Sequence, residues 1–97
     1  MSQVDVDVVS AAVERCPTVA SLSGGELGEV ATYLPGRKVS GVRVRDNRVE
    51  LHLVTRWGVA VPDLESDVRA AVAPLVGNRA VDIHVDDLEV PEQAPGG

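Results

Sequence analysis

The sequence predicts an α+β domain, and three stretches carry that prediction. Apolar residues alternate with polar ones through Val42–Val44 and again through Val49–Thr55, on either side of Asp46-Asn47-Arg48. Period-two patterning flanking a polar turn is the mark of a β-hairpin with one apolar and one polar face. Next, Leu64, Val68, Ala71, Val72, Leu75 and Val76 recur at helical spacing behind Pro62. Proline suits a first helical turn because its missing N–H costs nothing there. Last, Val81, Ile83 and Val85 alternate with Asp82, His84 and Asp86 as a closing strand. Together these predict a three-stranded sheet, with two main helices packed on its apolar face. Thr18–Leu22 is the candidate for a short extra strand.

The remaining elements follow in chain order. Ser2-Gln3-Val4-Asp5 fits a capping box, with Ser2 as N-cap and Asp5 reaching back. Val8, Val9, Ala12, Val13 and Cys16 then share one helical face, and Pro17 stops that helix. Glu26–Leu34 fits a short helix with Leu27, Val30, Ala31 and Leu34 inward, closed by Pro35-Gly36. In the hairpin turn, Asp46 and Asn47 tolerate the positive φ that tight turns require. Pro74 sits near the end of the second main helix. In a helix interior it would cost about 3 kcal/mol or more, so a kink or a loosened hydrogen bond is expected there. Gly77-Asn78 reads as the stop. Residues 1–90 form one domain, and 91–97 (PEQAPGG) read as a disordered, frayed tail.

Composition narrows the function classes. The chain of 97 residues has the length of one domain. It is 44% hydrophobic but has no Phe, one Trp and one Tyr, so the core must be aliphatic. Its net charge of −6 repels phosphate backbones and anionic membrane surfaces unless a local basic patch intervenes. The start shows no basic n-region, and no run approaches the roughly 18 apolar residues of a spanning helix. No direct membrane insertion is therefore expected. A single cysteine, Cys16, cannot make an internal disulfide. The chain reads as cytoplasmic and reduced.

The most suggestive loop is TRWGVAVPDLESDV, Thr55–Val68, where a strand passes through glycine into a helix. Helix N-termini bind phosphate through free N–H groups and the macrodipole. Here Asp63, Glu65 and Asp67 already occupy the first turns and would repel an anion. The loop therefore reads as a structural corner, with Trp57 as anchor, either buried or offered to a partner, Gly58 as hinge and Pro62 as helix starter. A core anchor of that size predicts a loss of about 3–5 kcal/mol for Trp57→Ala.

Other candidates are weaker. His52 and His84 fall on the polar sheet face with Asp82 and Asp86, a conceivable metal site or pH-sensitive pair if their strands are neighbours. Metal-spacing motifs are absent, so no metal and no cofactor is assigned. Gly25-Glu26-Leu27-Gly28 matches the GxxG loop of KH nucleic-acid-binding domains, with Arg37, Lys38, Arg43 and Arg45 as the basic cluster. Its variable positions are acidic and apolar, and only Tyr33 could stack on a base. Cys16 lies on an apolar helical stripe with no base or positive field nearby, which favours a structural thiol. Ser21, Ser23 and Ser40 lack a nucleophile elbow. No catalytic residue is assigned. Arg43, Arg45, His52, Arg56 and His84 remain as a mixed-charge face suited to interaction.

Read as a whole, the chain resembles the alkaline-shock-protein family of bacterial envelope stress proteins from about Val4 to Val90. The resemblance rests on CPTVASLSGG, VSGVRVRDNRVELHLVTRWGVAVPDL, VRAAVAPLVG and VDIHVDDLEV. The family's aromatic-Gly, followed by a proline four residues after the glycine, is matched by Trp57, Gly58 and Pro62. The chain departs from the family at Arg69, often Gln, at Asp82, often Asn, and at Trp57, usually Tyr. The resemblance implies a non-enzymatic cytoplasmic protein that self-associates and is held near the inner face of the membrane by a membrane-anchored partner. It implies no cofactor and no catalytic residue.

Overall fold

The computed structural model describes residues 4–25 and 28–90. Ser2 of the expected capping box, Glu26 and Leu27 of the expected short helix, and the 91–97 tail lie outside them.

Helix α1 spans Val6–Glu14, and Asp5 is its N-cap. The Asp5 carboxylate accepts from the backbone N–H groups of Asp7 (3.1 Å) and Val8 (3.3 Å), satisfying two of the helix's orphan donors. Asp5 thus begins the helix instead of closing a capping box. Val6, Val9 and Val13 are buried, with Cys16 just beyond the helix end. The buried stripe is therefore turned slightly from the expected one, and Val8 faces outward at 44% exposure.

Strand β1, Val19–Leu22, forms where a short extended segment was expected. The next expectation fails. Among the described residues of 28–34 there is no helix; instead β2 (Ala31–Leu34) and β3 (Arg37–Ser40) pair antiparallel across a two-residue Pro35-Gly36 turn. The apolar spacing of Val30, Ala31 and Leu34 mimics a helical face. Thr32 and Tyr33 favour a strand, and Pro-Gly closes the hairpin.

Strand β4 (Val42–Val44) and the nine-residue β5 (Arg48–Arg56) form the expected hairpin. No non-glycine residue has positive φ among the described residues, so Asp46 and Asn47 turn the chain without it. The looser connection is closed by Arg45 N–H donating to the Arg48 carbonyl at 2.8 Å. Helix α2 spans Val61–Val72 with Pro62 in its first turn, as expected. Ala73–Leu75 then tightens into a 3₁₀ turn around Pro74, which is the expected loosening. Strand β6, Ala80–Glu89, is longer than the sequence pattern suggested.

Strand β5 is the centre of a four-stranded sheet. Leu51 pairs with Val42 on one side and Ile83 on the other; Leu53 pairs with Leu22 and Val85 in the same way. β1 and β4 therefore lie end to end along one edge of β5, both antiparallel. β6 runs parallel along the other edge, joined to β5 through α2, as a parallel pair requires. The sheet has one strand more than the basic expectation, and the extra strand is β1. One face packs on the helices: Val42, Val49, Leu51 and Leu53 meet Val9 and Val13 of α1 and Leu64, Val68 and Val72 of α2 in one buried cluster. This aliphatic core agrees with the composition.

Candidate functional site

The opposite sheet face carries the charged residues that alternation placed there, and the register brings them together. His52 and His84 are direct partners across β5 and β6. Their rings stack at 4.4 Å between centroids, 15° from parallel. Asp86 lies at a bulge in β6, where the register slips between Leu53 and Val54. The bulge aims its carboxylate at two donors, His52 Nδ1 at 3.0 Å and Ser23 Oγ at 3.0 Å. A stacked pair turns ring faces toward each other, not nitrogen lone pairs, and His52 Nδ1 is committed to Asp86. Among the described residues no group of three or more His, Cys, Asp or Glu side chains is arranged to hold a metal ion. Ser23 donates to the same Asp86 carboxylate that accepts from His52 Nδ1.

The arginines of this face are paired as well. Glu50 accepts from Arg45 Nε at 3.0 Å and lies 3.9 Å from Arg43. Arg48 bonds Asp82 at 3.0 Å, and Arg56 reaches Glu89 at 3.4 Å. Burial pushes the Glu50 carboxyl upward. That is the largest single effect, but the hydrogen bond from Arg45 and the charges of Arg45, Arg43 and His84 together outweigh it and leave Glu50 below its ordinary value. A folded value below the unfolded one gives stabilisation that is complete above the unfolded value, about 4.3. That contribution is lost as pH falls through the folded value. Urea titrations from pH 7 to pH 3 are therefore expected to show a shallower acid loss of stability in Glu50→Gln than in the parent. An unchanged slope would show that Glu50 contributes nothing to it.

The basic cluster of the nucleic-acid reading is largely occupied. Arg37 grips Asp7 through two hydrogen bonds of 2.6 Å, tying the β2–β3 hairpin to α1. The hydrogen bonding from Arg37 holds Asp7 below its usual value against an opposing effect of desolvation, with a lesser contribution from the Arg37 charge. Arg43 also bonds the Glu29 carbonyl. Lys38 stands 6.0 Å above the Tyr33 ring, a cation–π distance. The GxxG match falls partly outside the described residues, and strands, not helices, flank it.

The Thr55–Val68 corner needs a correction. Trp57 is 62% exposed and anchors no core. The inward side of β5 ends at Thr55, and the chain turns away before another residue can point to the helices. Gly58 does act as the hinge, with φ 84° and open space where a Cβ would stand. Pro62 starts α2 as expected. The backbone turn, not the indole, is the structural device. Trp57→Ala is accordingly expected to change stability by no more than about 0.5 kcal/mol in a urea unfolding curve. A loss of several kcal/mol would restore the anchor role.

The corner also shows what sequence reasoning missed. Val61 (47% exposed), Val85 (37%), Leu88 (40%) and Val90 (60%) join Trp57 as exposed apolar residues at the ends of β5 and β6 and the start of α2. Their signal was present as VDDLEV, which continues apolar past the point where the two helices can cover the sheet. Cys16 is buried, donates to the Ala12 carbonyl at 3.5 Å, and has its thiol pushed up by burial and by the Asp67 charge. That environment suits a structural thiol. Arg69, one of the departures from the family pattern, donates to the Val81 carbonyl at 2.6 Å and so ties α2 to β6. Among the described residues no helix is long and apolar enough to cross a membrane. Comparisons with protein-family models, with curated proteins and with solved structures found no match for the chain.

Proposed function

We propose that this chain is a non-enzymatic interaction module that self-associates, working in bacterial cell-envelope stress homeostasis beside a membrane-anchored partner. The observation that carries self-association is the charge balance of the open sheet face. The molecule as a whole bears −6 and repels its own copies. On this face Arg43 and Arg45 share Glu50, Arg48 pairs with Asp82, Arg56 with Glu89 and His52 with Asp86. A balanced face on an acidic molecule is where a second copy meets the least repulsion. The envelope setting and the anchored partner rest on the motif resemblance. Localisation at the inner face of the membrane belongs to the same proposal.

Light scattering at rising protein concentration tests the self-association. A dimer or larger species is expected, shifted toward monomer by Arg43→Glu with Arg45→Glu. A strict monomer at high concentration defeats it. A pull-down from native membranes with the same pair of variants tests the anchored partner. The nucleic-acid alternative, a KH-like module using Arg37, Lys38, Arg43 and Arg45, would need those cations to leave their present partners. An electrophoretic shift with RNA at micromolar protein and moderate salt would favour it.

A further inference from the structure

The outer edge of β6 is the longest uncovered edge of the sheet. Among the described residues this ten-residue strand pairs with β5 alone. Arg69 occupies the carbonyl of Val81 near its start, and Asp87 accepts from the N–H of Leu88 near its end. A free ladder of this length can accept another strand. At its far end the register sets Thr55 beside Leu88 and Arg56 beside Glu89, so the exposed Trp57 and Val90 follow at the same end of the two strands. Exposed tryptophan beside aliphatic side chains is the composition of an interface hot spot.

Charge selects the occupant. From Ala80 to Val90 the chain holds Asp82, Asp86, Asp87 and Glu89 with no Lys or Arg. Asp82, Asp86 and Glu89 have cationic or imidazole partners on β5, whereas among the described residues the Asp87 carboxylate accepts from the Leu88 N–H and from no cation. A second copy adding to this edge would bring another Asp87 to a strand whose other carboxylates are already paired, so it offers Asp87 no cation. Nucleic acid and anionic lipid are repelled by these carboxylates. An extended segment with alternating basic and apolar residues meets neither obstacle. Its backbone would complete the ladder, its cations would face the carboxylates, and its apolar side chains would cover the corner. We propose that β6 receives such a basic, apolar strand from another protein, with Trp57 and Leu88 as the apolar contact. The proposal rests on the interaction-module reading and borders the balanced face, sharing Asp82, Asp86 and Glu89 with it, whereas the Arg43 of the self-association test lies across β5 on β4.

The test is a titration of the full chain with a ten-residue peptide alternating Lys and Val, blocked at both ends, followed by Trp57 emission and by calorimetry. Saturable binding in the range of about 10–500 μM is expected, as for a small transient interface, with a blue shift of the sole tryptophan. Asp87→Lys is expected to weaken binding about tenfold, and Leu88→Ala or Trp57→Ala severalfold by calorimetry. These residues are exposed, so melting curves close to the parent's are expected for all three variants. Absence of saturation overturns the proposal, as does equal affinity for a Glu–Val peptide. Binding that salt abolishes while Leu88→Ala and Trp57→Ala leave it unchanged also overturns it, because that is charge attraction alone. Dimerisation lost specifically in Asp87→Lys or Leu88→Ala would name a second copy as the occupant instead. Light scattering with the Arg43 and Arg45 variants judges self-association separately from these outcomes.

Discussion

Leu51→Ala is expected to cost about 2–5 kcal/mol and to lower the urea midpoint and melting temperature accordingly. Leu51 is fully buried at the middle of the central strand, paired with Val42 on one side and Ile83 on the other. Its side chain is part of the cluster that joins α1 and α2 to the sheet. Truncation removes about three carbons of buried surface and leaves a cavity that neighbours on three sides cannot fill without moving β5. In a domain of this size the whole stability is of the order of 5–15 kcal/mol, so the loss would be a large fraction of it. A loss below about 1 kcal/mol would mean that the core collapses freely around the site. The contrast with Trp57 is the informative one, since the larger side chain is expected to matter far less.

Gly41→Ala carries the second large effect, and its cause is different. Gly41 joins β3 to β4 at φ 84°, a conformation that L side chains rarely adopt. An added Cβ would stand 2.9 Å from the Leu22 Cβ and 3.0 Å from the carbonyls of His52 and Ser23. Two of those three neighbours are backbone atoms of the sheet. His52 N–H donates to the Gly41 carbonyl and Gly41 N–H donates to the Val30 carbonyl, so the glycine cannot slide aside. Left-handed strain and overpacking together are expected to cost roughly 2–5 kcal/mol. Gly58→Ala isolates the strain term, because its Cβ would meet open space; about 1–2 kcal/mol is expected there. Equal effects at the two glycines, read from urea midpoints, would show that the contacts around Gly41 yield without cost.

Gly41 also marks where sequence reading stopped. In VSGVRV, Val39 and Val42 stand three residues apart, so the alternation of Val42–Val44 does not carry back through Gly41. The structure ends β3 at Ser40 and pairs it with β2, while β4 begins at Val42 and pairs with β5. The break in phase at Gly41 is local, but the choice of partners is not. The misread helix before Pro35 has the same root. Val30, Ala31 and Leu34 suit a helical face as well as they suit a hairpin, and the choice is made by the Arg37–Asp7 tether and by pairing with β3.

The charged face was legible residue by residue, since alternation alone puts Arg43, Glu50, His52, Asp82 and His84 on the side away from the helices. Their pairing was not. That Glu50 meets Arg45, that the two imidazoles stack, and that Asp86 reaches His52 all depend on β6 lying parallel to β5 in one register with one bulge. The amino-acid sequence by itself determined the α+β class, the aliphatic core, the inner face of β5 and the start of α2. Each of these follows from a period or a backbone preference that acts within a few residues. The tertiary structure alone decided the strand order, the second hairpin, the internal pairing of the charges and the exposure of Trp57. Those depend on contacts between segments far apart in the chain, and on how far two short helices can reach over a longer sheet.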